Sequence, residues 1–233
     1  MHLKNVASTA VKCVAIAVLL GAVFHSKAQT AQTNYTNMAP VEQYLMDRDA
    51  EIALARSAAP ESISRDATVM VLGRHGYETA VKGKNDFVCV VERGWTAPLD
   101  NANFWNPKIR GPICFNAAAV RTYLPRTIKK TELIMAGRSK DQMAAAITAA
   151  IDKKELPAME PGAMCYMLSK QGYLDDHAGH WHPHLMFFVS PGDPAAWGAD
   201  LEGSPIISVN NSWEHMTTFL VPVRQWSDGT PDH

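Results

Sequence analysis

Residues 67–93 read ATVMVLGRHGYETAVKGKNDFVCVVER. Three short runs stand out, ATVMVLG, YETAVKG and FVCVVER, each rich in β-branched or aromatic residues and bounded by polar, glycine-containing segments. Runs of this length between turn formers are strands rather than helices. KGKND, between the second and third, has the polarity and the glycine of a hairpin turn, so the stretch predicts an antiparallel meander. That reading decides the fold class, because strands that pair with their sequence neighbours do not build a regularly alternating βαβ sheet.

Further along, AMCYMLS (163–169), PHLMFFVS (183–190), SPIISVN (204–210) and MTTFLVPV (216–223) are again strand-like, separated by Gly, Pro, Asp and Asn. Helices are expected between and before these two groups. Pro40 suits a first helical position, and Val41, Leu45, Ile52 and Ala55 fall on one stripe, so a helix is predicted over 40–57. Asn116 caps AAAVRTYL, and Pro125 interrupts its continuation. Ser139 and Gln142 have capping-box spacing ahead of MAAAITAAIDKKEL, which predicts a helix over about 140–155. The loop WTAPLDNANFWNPKIRGP (95–112) places Trp95, Phe104 and Trp105 as covers for the core. The expected architecture is α+β: one antiparallel sheet with two or three packed helices in a single domain over 40–233.

The N-terminus carries Lys4 and Lys12, an apolar run from Cys13 to Phe24, and a small-x-small site at Ser26 and Ala28. That pattern is a secretory signal peptide over 1–28, too short in its apolar part to span a bilayer. Residues 29–39 are polar and aperiodic and are expected to be a flexible mature N-terminus. Export to the periplasm or beyond follows, with no membrane span in the mature chain. Losing Lys4, Lys12 and Lys27 with the leader leaves 19 basic against 23 acidic side chains. A net charge of about −4 speaks against nucleic acid as a partner. The one basic tract, RTIKK (126–130), reads as a solvated helix surface.

Cys89, Cys114 and Cys165 survive processing. In an oxidising compartment three cysteines predict one disulfide and one thiol. FVCVVE and PICF both read as extended segments across a plausible loop, so Cys89–Cys114 is the favoured pair, with Cys165 buried in a strand.

Two motifs bear on chemistry. RHG after a strand is similar to the histidine phosphatase signature, which would make Arg74 the phosphate binder and His75 the nucleophile. That family continues into a loop and helix, whereas here a hairpin is expected. The second motif is HAGHWHPH (177–184). His180, His182 and His184 follow at i, i+2 and i+4, which in an extended chain puts three imidazoles on one face. Such a face could hold Zn²⁺ or Cu²⁺ with an open position for water, with His177, Asp175, Asp176, Glu214 and His215 as further ligands, and so support metal-dependent hydrolysis. Pro183 interrupts that ladder, and HxHxH is a less specific spacing than HExxH. No GxSxG elbow, CxxC pair, P-loop or dinucleotide fingerprint occurs.

KGKNDFVCVVER, PICF, PGAMCYMLS (161–169) and HWHPHLMFFVSP (180–191) together resemble an uncharacterised family of exported bacterial proteins in which a KGxNxF-C hairpin and a PHLMF strand recur. The resemblance implies export and a single domain over roughly 65–223, and supplies no activity. The leading expectation is an exported binding or accessory module for an unknown small molecule or protein, with the histidine metal site as the alternative and the Arg74–His75 phosphatase third.

Overall fold

A short strap of chain that crosses the start of a strand sets the sheet's topology. In the computed structural model, which describes residues 35–176 and 181–232, β1 (Thr68–Gly73) and β2 (Gly76–Val81) form an antiparallel hairpin with Arg74 and His75 as its turn. β3 (Val88–Glu92) does not return along β2. It lies on the far side of β1 and parallel to it, Thr68 opposite Val88 and Val69 opposite Cys89. KGKND is therefore a crossing strap and not the predicted hairpin turn. Lys84 and Asn85 both donate backbone N–H groups to the Asp66 carbonyl, at 2.7 and 3.1 Å, and Thr68 donates to the Phe87 carbonyl at 2.9 Å. The Asn85 side chain closes the strap by donating to Ile63 O at 2.9 Å and accepting from Phe87 N at 3.1 Å. A Cβ on Gly83 would stand 2.2 Å from Thr68 N, so only glycine lets the strap lie this close.

From β3 the sheet continues antiparallel through β4 (Gly111–Phe115), β5 (Met164–Met167), β6 (His184–Val189) and β8 (Met216–Pro222) to β7 (Ile207–Asn211). Its order is β2-β1-β3-β4-β5-β6-β8-β7, an eight-stranded, mostly antiparallel sheet. With the five α-helices among the described residues it makes the predicted α+β fold. Cys89 and Cys114 sit directly opposite each other on β3 and β4 and form the expected disulfide, while Cys165 is a buried thiol.

Two helical layers cover the two faces. α1 (Arg48–Arg56) buries Leu54 and Ala55 against Val69, Cys89, Val91 and Cys114, and the one-turn α2 (Glu61–Ser64) follows it. α3 (Ala117–Thr122), α4 (Leu124–Met135) and α5 (Lys140–Asp152) fall between β4 and β5 in the chain. On the sheet face opposite α1, Val90, Ile113, Phe115, Cys165 and Phe188 pack with Ala119, Tyr123 and Leu124. The strands expected in the last third are all present, and so is the capping box at Ser139 and Gln142.

Two expectations about helices need correction. The predicted helix over 40–57 is a 3₁₀ turn at Val41–Gln43 and then α1, because the Asp47 side chain accepts from Ala50 N at 3.0 Å and starts a new helix there. Residues 35–39 are tied down, Tyr35 donating to Asp176 at 2.6 Å and Ala39 N to the Tyr44 hydroxyl at 3.1 Å. Among the described residues five helices stand where two or three were expected, in part because Pro125 opens α4 at a position where a missing N–H costs nothing. Residues 1–34, which include the stretch expected to be a signal peptide, lie outside the described residues. Among the described residues no helix is long and apolar enough to cross a membrane.

Gly83→Ala is expected to destabilise the fold by about 2 kcal/mol or more, since the added methyl meets backbone that cannot swing aside. Urea unfolding measures it, with Gly203→Ala, where a Cβ meets nothing but the backbone is left-handed, as the comparison.

Candidate functional site

α4 is the element that organises the site. Its inward stripe, Arg126, Thr127, Lys130, Thr131 and Ile134, is spaced like an apolar stripe but is mostly polar, and all five residues are buried. RTIKK is thus not a solvated surface: Arg126 and Lys130 are 1% and 0% exposed. Thr127 donates to Glu92 Oε1 at 3.0 Å on β3, and Lys130 lies 3.2 Å from Glu214 Oε1 in the turn that leads into β8. β3 and β8 stand four positions apart in the sheet, so one helix ties together two distant strands. Arg126 adds a bond to the Glu214 carbonyl and one of 2.8 Å to the Pro157 carbonyl. The Lys130 ammonium also lies 5.7 and 5.6 Å from the ring centres of Tyr123 and Trp213, within cation–π range.

Beside this cluster a cavity of about 330 Å³ opens on the same face of the sheet. Its walls are largely apolar, with Ile109, Tyr123, Met167, Leu174, Met186 and Leu220 contributing. Glu92, His184, Asn211 and Thr218 are polar groups in the lining. Burial raises the pKa of Glu92, and the nearby Lys130 and the Thr127 hydroxyl offset this only in part. Asn211 connects the cavity to the cluster through a 3.4 Å contact from Nδ2 to Glu214 Oε2. Arg93 alternates to the opposite face, where its guanidinium meets Glu51 at 2.9 Å and the Tyr44 carbonyl, also at 2.9 Å. The aromatic loop forms the rim. Trp95, Phe104 and Trp105 are buried as expected, and Asn103 joins the loop to the chain before the histidines by donating to Asp175 at 3.0 Å.

Of the four clustered histidines the structure describes His182 and His184, which differ in burial. His177 and His180 lie outside the described residues. His182 is exposed and its Nδ1 is 2.6 Å from Asp232 Oδ2, whereas His184 is 8% exposed, opens β6 and lines the cavity. His184 Nδ1 is 2.9 Å from the His182 carbonyl oxygen. A carbonyl can only accept, so Nδ1 carries the hydrogen and Nε2 is the acceptor in the neutral ring. Burial lowers the His184 pKa, with the carbonyl bond opposing, which keeps the ring neutral at ordinary pH. Of the further ligand candidates, Glu214 pairs with Lys130, and His215 Nδ1 lies 3.7 Å from Asp152. Asp175 accepts from Asn103, while Asp176 accepts from Tyr35 and Tyr173 and lies 3.4 Å from Lys108. Among the described residues no three His, Cys, Asp or Glu side chains are grouped as a metal ion requires. Arg74 and His75 are exposed on the β1–β2 turn, Arg74 paired with Glu42 at 2.5 Å, and neither lines the cavity.

The chain matches no protein-family model, and no match was found among curated proteins or solved structures.

Two measurements test the cluster. Lys130→Met leaves Glu214 buried without its cation and should cost about 3–5 kcal/mol in urea unfolding, part of it regained when Glu214→Gln is added. Glu92→Gln should act the other way. A carboxyl whose pKa is raised in the fold contributes full stability below its unfolded value, here 4.5, and loses it as pH rises through the raised value. The Gln variant should therefore melt higher than wild type near neutral pH and converge with it below about pH 4.5.

Proposed function

We propose that the protein is an exported binding protein for a small, uncharged, mostly apolar molecule that occupies the cavity beside α4. The observation that carries this reading is the lining itself: about 330 Å³ of space, apolar on most sides, with a few fixed polar groups. Cavities of that size and make-up are typical of small-molecule sites. The charge balance supports an uncharged occupant. Glu214 is paired with Lys130 and Glu51 with Arg93, and burial of Glu92 disfavours its charge, so a charged ligand would give up its hydration in a lining that already resists charge. Export is supported by the leader over 1–28 and by the Cys89–Cys114 disulfide, which suits an oxidising compartment.

N-phenyl-1-naphthylamine is an uncharged apolar fluorophore of suitable size and serves as the probe. Purified mature protein should enhance its emission with a dissociation constant in the micromolar range. Val209→Trp, on the β7 side of the cavity, should weaken that binding by about tenfold or more by filling the space, with little change in melting temperature. No enhancement by the wild type, or equal binding by the Trp variant, would remove the cavity as the binding site.

A further inference from the structure

The geometry points to His184 as the residue that selects the ligand, and to a ligand class: apolar molecules bearing a hydroxyl or N–H donor that bonds to His184 Nε2. This rests on the cavity being the binding site and specifies what it recognises. Three features of the chain fix the imidazole. The His182 carbonyl, two residues earlier, takes the Nδ1 hydrogen and so assigns the acceptor role to Nε2. Trp181 holds the ring edge-on, centroids 5.7 Å apart at 80°, and is itself anchored by a 3.2 Å bond from its indole nitrogen to the Gly172 carbonyl. β6 pairing, Met167 opposite His184, fixes the backbone. The ring is thus positioned before any ligand arrives, and Nε2 has no hydrogen-bond partner among the described residues.

An acceptor held in an apolar wall discriminates strongly. A ligand that brings a donor satisfies it, whereas one that brings a methyl group in the same place must cover Nε2 and leave it unpaired. The depressed basicity of the buried ring keeps Nε2 unprotonated near neutral pH, so it accepts and does not donate. Met186 and Leu220, adjacent across the β6–β8 register on the same face, supply apolar surface for the body of the ligand.

The test uses two naphthalenes of nearly the same shape, 1-naphthol and 1-methoxynaphthalene, with binding measured by equilibrium dialysis near neutral pH. Wild-type protein should prefer 1-naphthol by about tenfold, the worth of one buried hydrogen bond. His184→Phe and His184→Leu should bind the two compounds alike. In the wild type, the ¹⁵N resonance of His184 Nε2 should move on addition of 1-naphthol and stay in place with 1-methoxynaphthalene, a readout that needs no variant. Equal binding of the two compounds by wild type, a preference that survives in either variant, or an unmoved Nε2 resonance would each overturn the role of His184 and leave the cavity reading intact. If neither compound binds, the cavity reading itself fails.

Discussion

Lys130 is placed where an ammonium ion is costly, fully out of water in the interior of the protein. What makes the position tolerable is the set of groups that converge on it: the Glu214 carboxylate at 3.2 Å, two aromatic faces, and Glu92 close enough to feel its charge. These partners come from β3, from α3–α4 and from the turn before β8, elements far apart in sequence. The charge cannot be satisfied unless all of them are in place together. Burying it therefore selects one arrangement of helix and sheet, whereas an apolar side chain there would accept several. Arg126, bonded to two backbone carbonyls one turn earlier, extends the same constraint to the segment that leads into β5.

The cavity follows from that arrangement. α4 is held to the sheet at its polar stripe, and α3 packs Ala119 against Phe115 and Phe188. Neither helix covers the surface that runs from Gly111 towards β7, where His184, Met186, Leu220 and Thr218 project. The space is bounded by a loop whose own aromatic residues are committed to the core, so the loop stands as a wall and does not collapse inward. Empty volume is thereby supported by rigid neighbours, which is what a preformed binding site requires.

Local pattern made much of this fold readable. The strands of the last third, the Ser139–Gln142 capping box, the buried aromatic loop and the Cys89–Cys114 pair all rest on signals within a few residues or on the logic of one compartment. Two features escaped because their signals are not local. The parallel pairing of β1 with β3 depends on Gly83 approaching Thr68 across the strap, and a polar stretch with a glycine looks the same whether it turns or crosses. α4 escaped because its buried stripe is written in Arg, Thr and Lys, and apolar periodicity is blind to a stripe whose polarity is neutralised by distant partners. The site was half legible. His184 could be found from the crowding of histidines, but its burial in the cavity wall and its bond to the His182 carbonyl come from packing that the spacing does not show. Glu92 looked like the ordinary end of a strand until Thr127 and Lys130 appeared against it.

The disulfide joins residues 25 apart, and the chain between them includes Glu92, Gly94, Thr96, Asn103, Ile109 and Gly111, close to half of the cavity's contour. That wall is a covalent ring. Closing a ring of this length removes about 3.5 kcal/mol of chain entropy from the unfolded state in the simplest picture, and the gain is concentrated in the segment it encloses. The ring also makes the wall sensitive to redox conditions. Without the bond the wall is an open segment; with it, the two ends are joined side by side on β3 and β4. The closed frame around the cavity thus depends on oxidation of two thiols, and reducing surroundings would open it.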